Sequence, residues 1–117
     1  MSRATAEQVN SVINNSTGTE QYHKNPFFPV FWYTDGIRQL AEVAGAYWLI
    51  DAIFSHNRQE TFQCWDLVVK GSKAHLTMKE DTDKPFKVSQ RIPCTDFPEG
   101  NWGFYLVNGV LMVKTEY

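Results

Sequence analysis

The chain has 117 residues, of which 21% are charged and 15% aromatic, including four Trp, five Tyr and eight Phe. One domain with a single real core is the expectation at this length, and the composition excludes a disordered chain. A formal net charge of −2, with 11 Lys and Arg scattered among 13 Asp and Glu, argues against a protein that holds nucleic acid by general attraction to phosphate.

No stretch approaches the roughly 20 apolar residues of a membrane span, and the N-terminus lacks a basic-then-apolar signal region, so the expectation is a soluble, cytoplasmic protein with no membrane partner. Cys64 and Cys94 fall in or beside expected strands and read as buried thiols, although spacing alone does not settle whether they pair. Together with His23, His56 and His75 they form no pair at zinc spacing, and neither a metal nor a cofactor is expected.

Residues 1–16 read as a short helical extension. Thr5 and Gln8 form a capping box, in which each side chain satisfies the other's free backbone amide, and Val9, Val12 and Ile13 follow at helical spacing. Residues 14–19, rich in Asn, Ser, Thr and Gly, stop that helix. An aromatic arm at 17–33 comes next, pushed toward extended backbone by Pro26 and Pro29. It carries Phe27, Phe28, Phe31, Trp32 and Tyr33. One reading lays this block over the core. The other exposes it as a partner anchor, since aromatics concentrate at binding hot spots.

Residues 34–56 predict one long central helix. Thr34 is a good N-cap and Asp35 suits the positive end of the helix dipole. Ile37, Leu40, Ala41, Ala44, Trp48 and Ala52 form a stripe that Val43, Tyr47, Ile50 and Phe54 widen, so the second half is buried nearly all round. Gly45 costs roughly 1 kcal/mol against Ala inside a helix, which suggests close approach by another group. Asp51 is the odd carboxylate on that apolar surface; it is either tied to a polar neighbour or part of a site. His56 at the helix end is favoured by the dipole, and the two together form a candidate polar site.

From residue 60 to 115 the pattern has period two. Residues 61–69 read as a strand, with a turn at 70–73. Ala74, Leu76 and Met78 alternate with polar residues; Phe86, Val88 and Ile92 do so as well, with Gln90 interrupting their apolar face. Asn108-Gly109 is the preferred dipeptide of a type I′ hairpin. The fold class is therefore α+β, with one long central helix packed on a four- to five-stranded antiparallel meander. Trp65, Trp102 and Tyr105 cannot all be assigned to the core by periodicity, and any that are exposed together make a partner patch.

The run TDGIRQLAEVAGAYWLIDAI, followed by FQCWDLVV, AHLTM, TDFP and NGVLMVKTEY, resembles a family of small uncharacterised proteins from bacteria, phages and other mobile elements. The likeness spans residues 17–117, with the first sixteen residues as a departure. It implies no reaction and transfers no functional residue.

No nucleophile elbow, phosphate loop or HExxH is present. Asp35, Asp51, Asp66 and Asp96 are as many aspartates as chance would supply, and the acidic loop of Glu80, Asp81 and Asp83 reads as solvated, with imitation of nucleic acid as its alternative. The leading functional expectation is a non-enzymatic protein that binds another protein through Phe27, Phe28, Phe31, Trp32, Trp65 and Trp102. Its most concrete form is an inhibitor of a host defence system, of the anti-CRISPR type, acting on a nucleic-acid-processing host complex. A small enzyme or ligand-binding domain around Asp51 is the alternative. A self-assembling protein that pairs through the strand at 110–114 is the third.

Overall fold

The computed structural model describes residues 4–15, 22–24, 31–81 and 84–117. In chain order the elements are α1 (Ala6–Asn15), β1 (Tyr22–Lys24), β2 (Trp32–Thr34), α2 (Asp35–Ala44), α3 (Tyr47–Ser55), β3 (Phe62–Lys70), β4 (Lys73–Lys79), β5 (Val88–Ile92), β6 (Gly100–Val107) and β7 (Val110–Val113), with a closing 3-10 turn at Lys114–Glu116. The class is α+β, as the change of period implies.

The first helix starts where the capping box places it. The Thr5 N–H donates to Gln8 Oε1 at 2.8 Å, and the Gln8 N–H donates back to Thr5 Oγ1 at 3.1 Å. Thr34 likewise caps α2, its hydroxyl oxygen accepting from the Ile37 N–H at 3.3 Å.

The long helix expected at 34–56 is instead two helices. Gly45 takes φ 61° and ψ 39°, a left-handed conformation that ends α2. The Ala46 N–H then reaches back to the Ala41 carbonyl at 2.7 Å, and α3 begins at Tyr47. A Cβ built on Gly45 would meet nothing within 4 Å, so this glycine serves backbone conformation and not close packing. The break lets α2 and α3 each turn an apolar face to the sheet: Ile37, Leu40 and Ala41 from one, Leu49, Ile50, Ile53 and Phe54 from the other.

The sheet also differs from the expected meander. It has seven strands in the order β1-β2-β7-β6-β3-β4-β5. The sequence pattern found β3 to β7, but β6 lies against β3 on the side opposite β4, so the connection after β5 crosses the sheet. The aromatic arm contributes two further strands. β2 runs parallel to β7, pairing Trp32 with Val110 and Tyr33 with Leu111, which makes the sheet mixed. β7 is therefore flanked on both sides and is not an edge available for self-pairing. The hairpin between β6 and β7 turns at Asn108 (φ 50°) and Gly109 (φ 82°), the positive values a type I′ turn needs.

Register sorts the side chains onto two faces. One face, under the helices, carries Trp65, Leu67 and Val69 from β3, Leu76 and Met78 from β4, Phe104 and Leu106 from β6, and Leu111 and Val113 from β7, all buried. Phe31 stacks on Phe54 with centroids 4.9 Å apart, and Trp102 meets Phe97 edge-on while its indole N–H donates to the Pro98 carbonyl. Gln63 is 1% exposed among these apolar groups. Its burial is tolerated because its oxygen accepts from the Trp65 indole and its amide donates to the Arg58 and Glu60 carbonyls. Gln90, which interrupts the apolar run of β5, meets His56 Nε2 at 2.7 Å through its side-chain oxygen. Phe86, expected on that apolar face, precedes β5 and is 60% exposed.

The closing turn fastens distant parts together. The Thr34 hydroxyl donates to Glu116 Oε1 at 2.7 Å, the Val113 N–H donates to the same oxygen, and the Thr115 hydroxyl donates to the Ile13 carbonyl at 2.6 Å. Both cysteines are free thiols. Cys64 is half-buried, but Cys94 is exposed in the loop after β5 and not buried as expected, because that loop lies beyond the strand's alternation. Among the described residues no helix is long and apolar enough to cross a membrane.

Candidate interaction face

The second face of the sheet points away from the helices. Period two places Phe62, Cys64, Asp66 and Val68 of β3 there, with Gly103, Tyr105 and Val107 of β6 and Val110 and Met112 of β7. Trp32 joins them because it pairs with Val110 in the parallel ladder, and Lys24 sits opposite Trp32 on β1. The register row Trp32, Val110, Val107, Phe62 thus crosses four adjacent strands. A second row sets Met112 beside Tyr105 and Tyr105 beside Cys64.

Rings cluster on this half of the face. Phe62, Tyr105 and Tyr117 meet in a triangle with centroid separations of 5.1, 5.4 and 5.2 Å, two of the three contacts being edge-on. Edge-to-face geometry of this kind suits the ring quadrupole. Lys114 Nζ lies 5.4 Å from the Tyr105 ring and Lys24 Nζ 6.0 Å from the Trp32 ring. Trp32 is 40% exposed and Tyr117 71% exposed. The surface combines these rings with the ammonium groups of Lys24 and Lys114 and the Asp66 carboxylate, which lies near Gly103.

The expected site residues separate sharply. Phe27 and Phe28 lie outside the described residues. Phe31, Trp65 and Trp102 are 5%, 0% and 6% exposed, their side chains packed on the helix side. Of the described aromatics in that set, Trp32 alone presents its ring to solvent. The sequence reasoning passed over Phe62, Val107, Val110 and Met112. The signal for them was the alternation itself: where Trp102, Phe104 and Leu106 take the core face, Gly103, Tyr105 and Val107 must take the other.

Asp51 is half-buried on α3, and His56, which caps that helix, uses its ring to meet Gln90 and to lie 5.6 Å from Trp65. Three open grooves among the described residues, lined by Val68 and Arg91, by Glu80 and Asp81, and by Arg58 and Gln59, reach neither residue.

A denser polar cluster stands where β1, β2 and α2 meet. His23 Nε2 lies 2.7 Å from Asp35 Oδ1, the Arg38 Nε–H donates to that oxygen at 3.4 Å, and Arg38 Nη1 donates to Glu42 at 3.1 Å. The Tyr47 hydroxyl donates to Glu42 at 3.2 Å, and the His23 ring stacks on Tyr33. The hydrogen bond with His23 holds the Asp35 carboxyl below its usual range against the opposing effect of burial, and Arg38 lowers it further. A histidine oriented by a carboxylate is half of a nucleophilic apparatus. Among the described residues, however, Asp35 is the only hydrogen-bond partner of His23, and no hydroxyl or thiol reaches it. The cluster pins the β1–β2 arm to the start of α2. Glu60 is similarly held low, chiefly by its ion pair with Arg58. Burial, its largest influence, pushes the Cys64 thiol up, away from the reactive thiolate. Among the described residues no three His, Cys, Asp or Glu side chains gather as metal ligands would.

A helix-backed mixed sheet with an aromatic outer face defines a small α+β domain that presents a surface. The chain belongs to a family of unknown function (DUF6876), matched over residues 7–117. The match includes most of α1, so the first helix is shared with the family from residue 7 onward and is not the departure expected of residues 1–16. No curated protein and no solved structure matches the chain.

Proposed function

We propose that this chain acts by binding another protein through the sheet face turned away from its helices, with Trp32 as anchor and the Phe62–Tyr105–Tyr117 rings as the apolar floor. The observation that carries the reading is the 40% exposure of Trp32 beside Val110 in an outward-facing apolar register row. An exposed tryptophan beside apolar neighbours is the side chain type most enriched among residues that dominate binding interfaces. One form of partner, taken from the sequence resemblance alone, is a nucleic-acid-processing defence complex of the host that this chain would inhibit in the anti-CRISPR manner.

Replacing Trp32 with a photo-crosslinking phenylalanine analogue in the native host tests it. A single crosslinked partner from position 32, weakened by about tenfold or more in pull-downs of Trp32→Ala, supports the reading. The same analogue at Val43, on the outer side of α2, should give no such product. Crosslinks from Val43 but none from position 32 would move the interface to the helices and refute the assignment.

A further inference from the structure

The other half of the same sheet face, over β3, β4 and β5, forms an open groove of about 680 Å³. Its floor and walls are largely apolar, with Val68, Phe86 and Pro93 among them, and its charged side chains are Lys70, Lys73 and Arg91. Among the described residues no carboxylate lines it.

These cations differ from most of the other described ones. Arg38, Arg58 and Lys87 are ion-paired, and Lys24, Lys79 and Lys114 lie over aromatic rings. Lys84 borders a groove that holds Glu80 and Asp81. Lys70, Lys73 and Arg91 make no ion pair among the described residues. Moreover, Lys70 and Lys73 are direct cross-strand partners. Like charges at opposed positions of a ladder destabilise it, a cost that an anion between them relieves.

Three acidic side chains gather elsewhere, while Glu99 accepts from the Gly71 N–H in the turn between the two lysines and Asp66 pairs with Thr77 at the groove's margin. Glu60, Glu80 and Asp81 line a groove at the opposite end of β3, so the described charges lining the two grooves differ in sign. The turn bearing the two lysines is pinned: the Thr95 N–H donates to the Ser72 carbonyl at 2.8 Å, and the Gly71 N–H donates to Glu99. His75 Nε2 meets Ser89 Oγ at 2.6 Å across the groove floor. A pre-organised site loses less on binding than one that must order itself.

From this combination we infer that the groove receives an acidic peptide segment of the partner, carrying carboxylates for Lys70, Lys73 and Arg91 and an apolar side chain for the surface between Val68 and Phe86. The inference rests on the protein-binding reading for the nature of the occupant, but it uses a part of the face separate from Trp32. The apolar share of the lining favours a peptide over a nucleic-acid strand, whose phosphates need a groove charged along its length.

Titration of the isotope-labelled protein with a short, end-blocked peptide of alternating glutamate and phenylalanine, followed by amide chemical shifts, tests this. Saturable shifts should centre on Val68, Lys73, His75 and Arg91, weaken as salt rises, and be unchanged in Trp32→Ala. A combined Lys70→Gln, Lys73→Gln and Arg91→Gln variant should bind about tenfold or more weakly, with the single Lys73→Gln variant as a milder check if the combination fails to fold. A peptide with glutamine for glutamate that binds as well would overturn the charge assignment, as would shifts confined to the Trp32 half. An oligothymidylate that saturates the same amides more tightly than the peptide would overturn it in favour of nucleic acid. Loss of the Trp32 crosslink with this titration intact would refute the anchor and leave the groove standing.

Discussion

Replacing Gly45 with Ala separates two explanations of a glycine in the middle of an apolar run. In this structure Gly45 is exposed, sits at φ 61°, and has no atom within 4 Å of the position a Cβ would take. The penalty is then conformational alone. A left-handed L-residue costs roughly 1–2 kcal/mol, and removing a glycine from the unfolded chain returns about 0.4–1 kcal/mol. The net loss should be about 1 kcal/mol, or roughly 3–6 °C in Tm for a domain of this size. Gly45→Asn should lose less, because Asn tolerates this region. Urea unfolding followed by tryptophan fluorescence measures both. A loss above about 3 kcal/mol would mean that the position is packed after all. No loss, together with added helical signal, would mean that α2 and α3 run on as one helix.

Asp35 and Glu60 titrate below the usual carboxylate range because His23 and Arg58 hold them there. Their contribution to stability is present above the ordinary carboxylate pKa and is lost as pH falls through the lower folded values, so stability should drop below about pH 4. In Asp35→Asn combined with Glu60→Gln, unfolding midpoints measured against pH should show a shallower acid fall, and an unchanged profile would refute the linkage. Among the thiols, Cys94 should react with a disulfide reagent at least about tenfold faster than Cys64 in the native protein, and Cys94→Ser should remove the fast phase. Equal rates that persist at low reagent would place Cys64 at the surface.

What the sequence disclosed was local. The capping box at Thr5 and Gln8, the Thr34 cap, the Asn108-Gly109 hairpin and the alternation of β3 and β4 each depend on residues a few positions apart, and each is where the pattern put it. What it withheld was non-local. The parallel pairing of Trp32 with Val110 joins two segments with most of the chain between them, and nothing in the three residues of β2 announces a partner. Gly45 was ambiguous because a packing glycine and a helix-ending glycine look alike until φ is known. The candidate face was half legible: aromatic content was plain, but burial divided Trp65 and Trp102 from Trp32, and the ring cluster with Tyr117 depends on the closing turn. The unpaired cations of the groove were invisible in a scattered charge pattern, because their isolation is a property of register.

The ties made by Glu116 and Thr115 bear on how the chain is born. α2 begins under a threonine whose hydroxyl answers to a residue 82 positions later, and α1 is held by one 102 positions later. On the ribosome, the arm, α1 and α2 emerge long before β7 and the closing turn exist. Until then β2 has no parallel neighbour. Contacts spanning 82 and 102 positions raise the sequence separation that folding must close, a topology that slows folding.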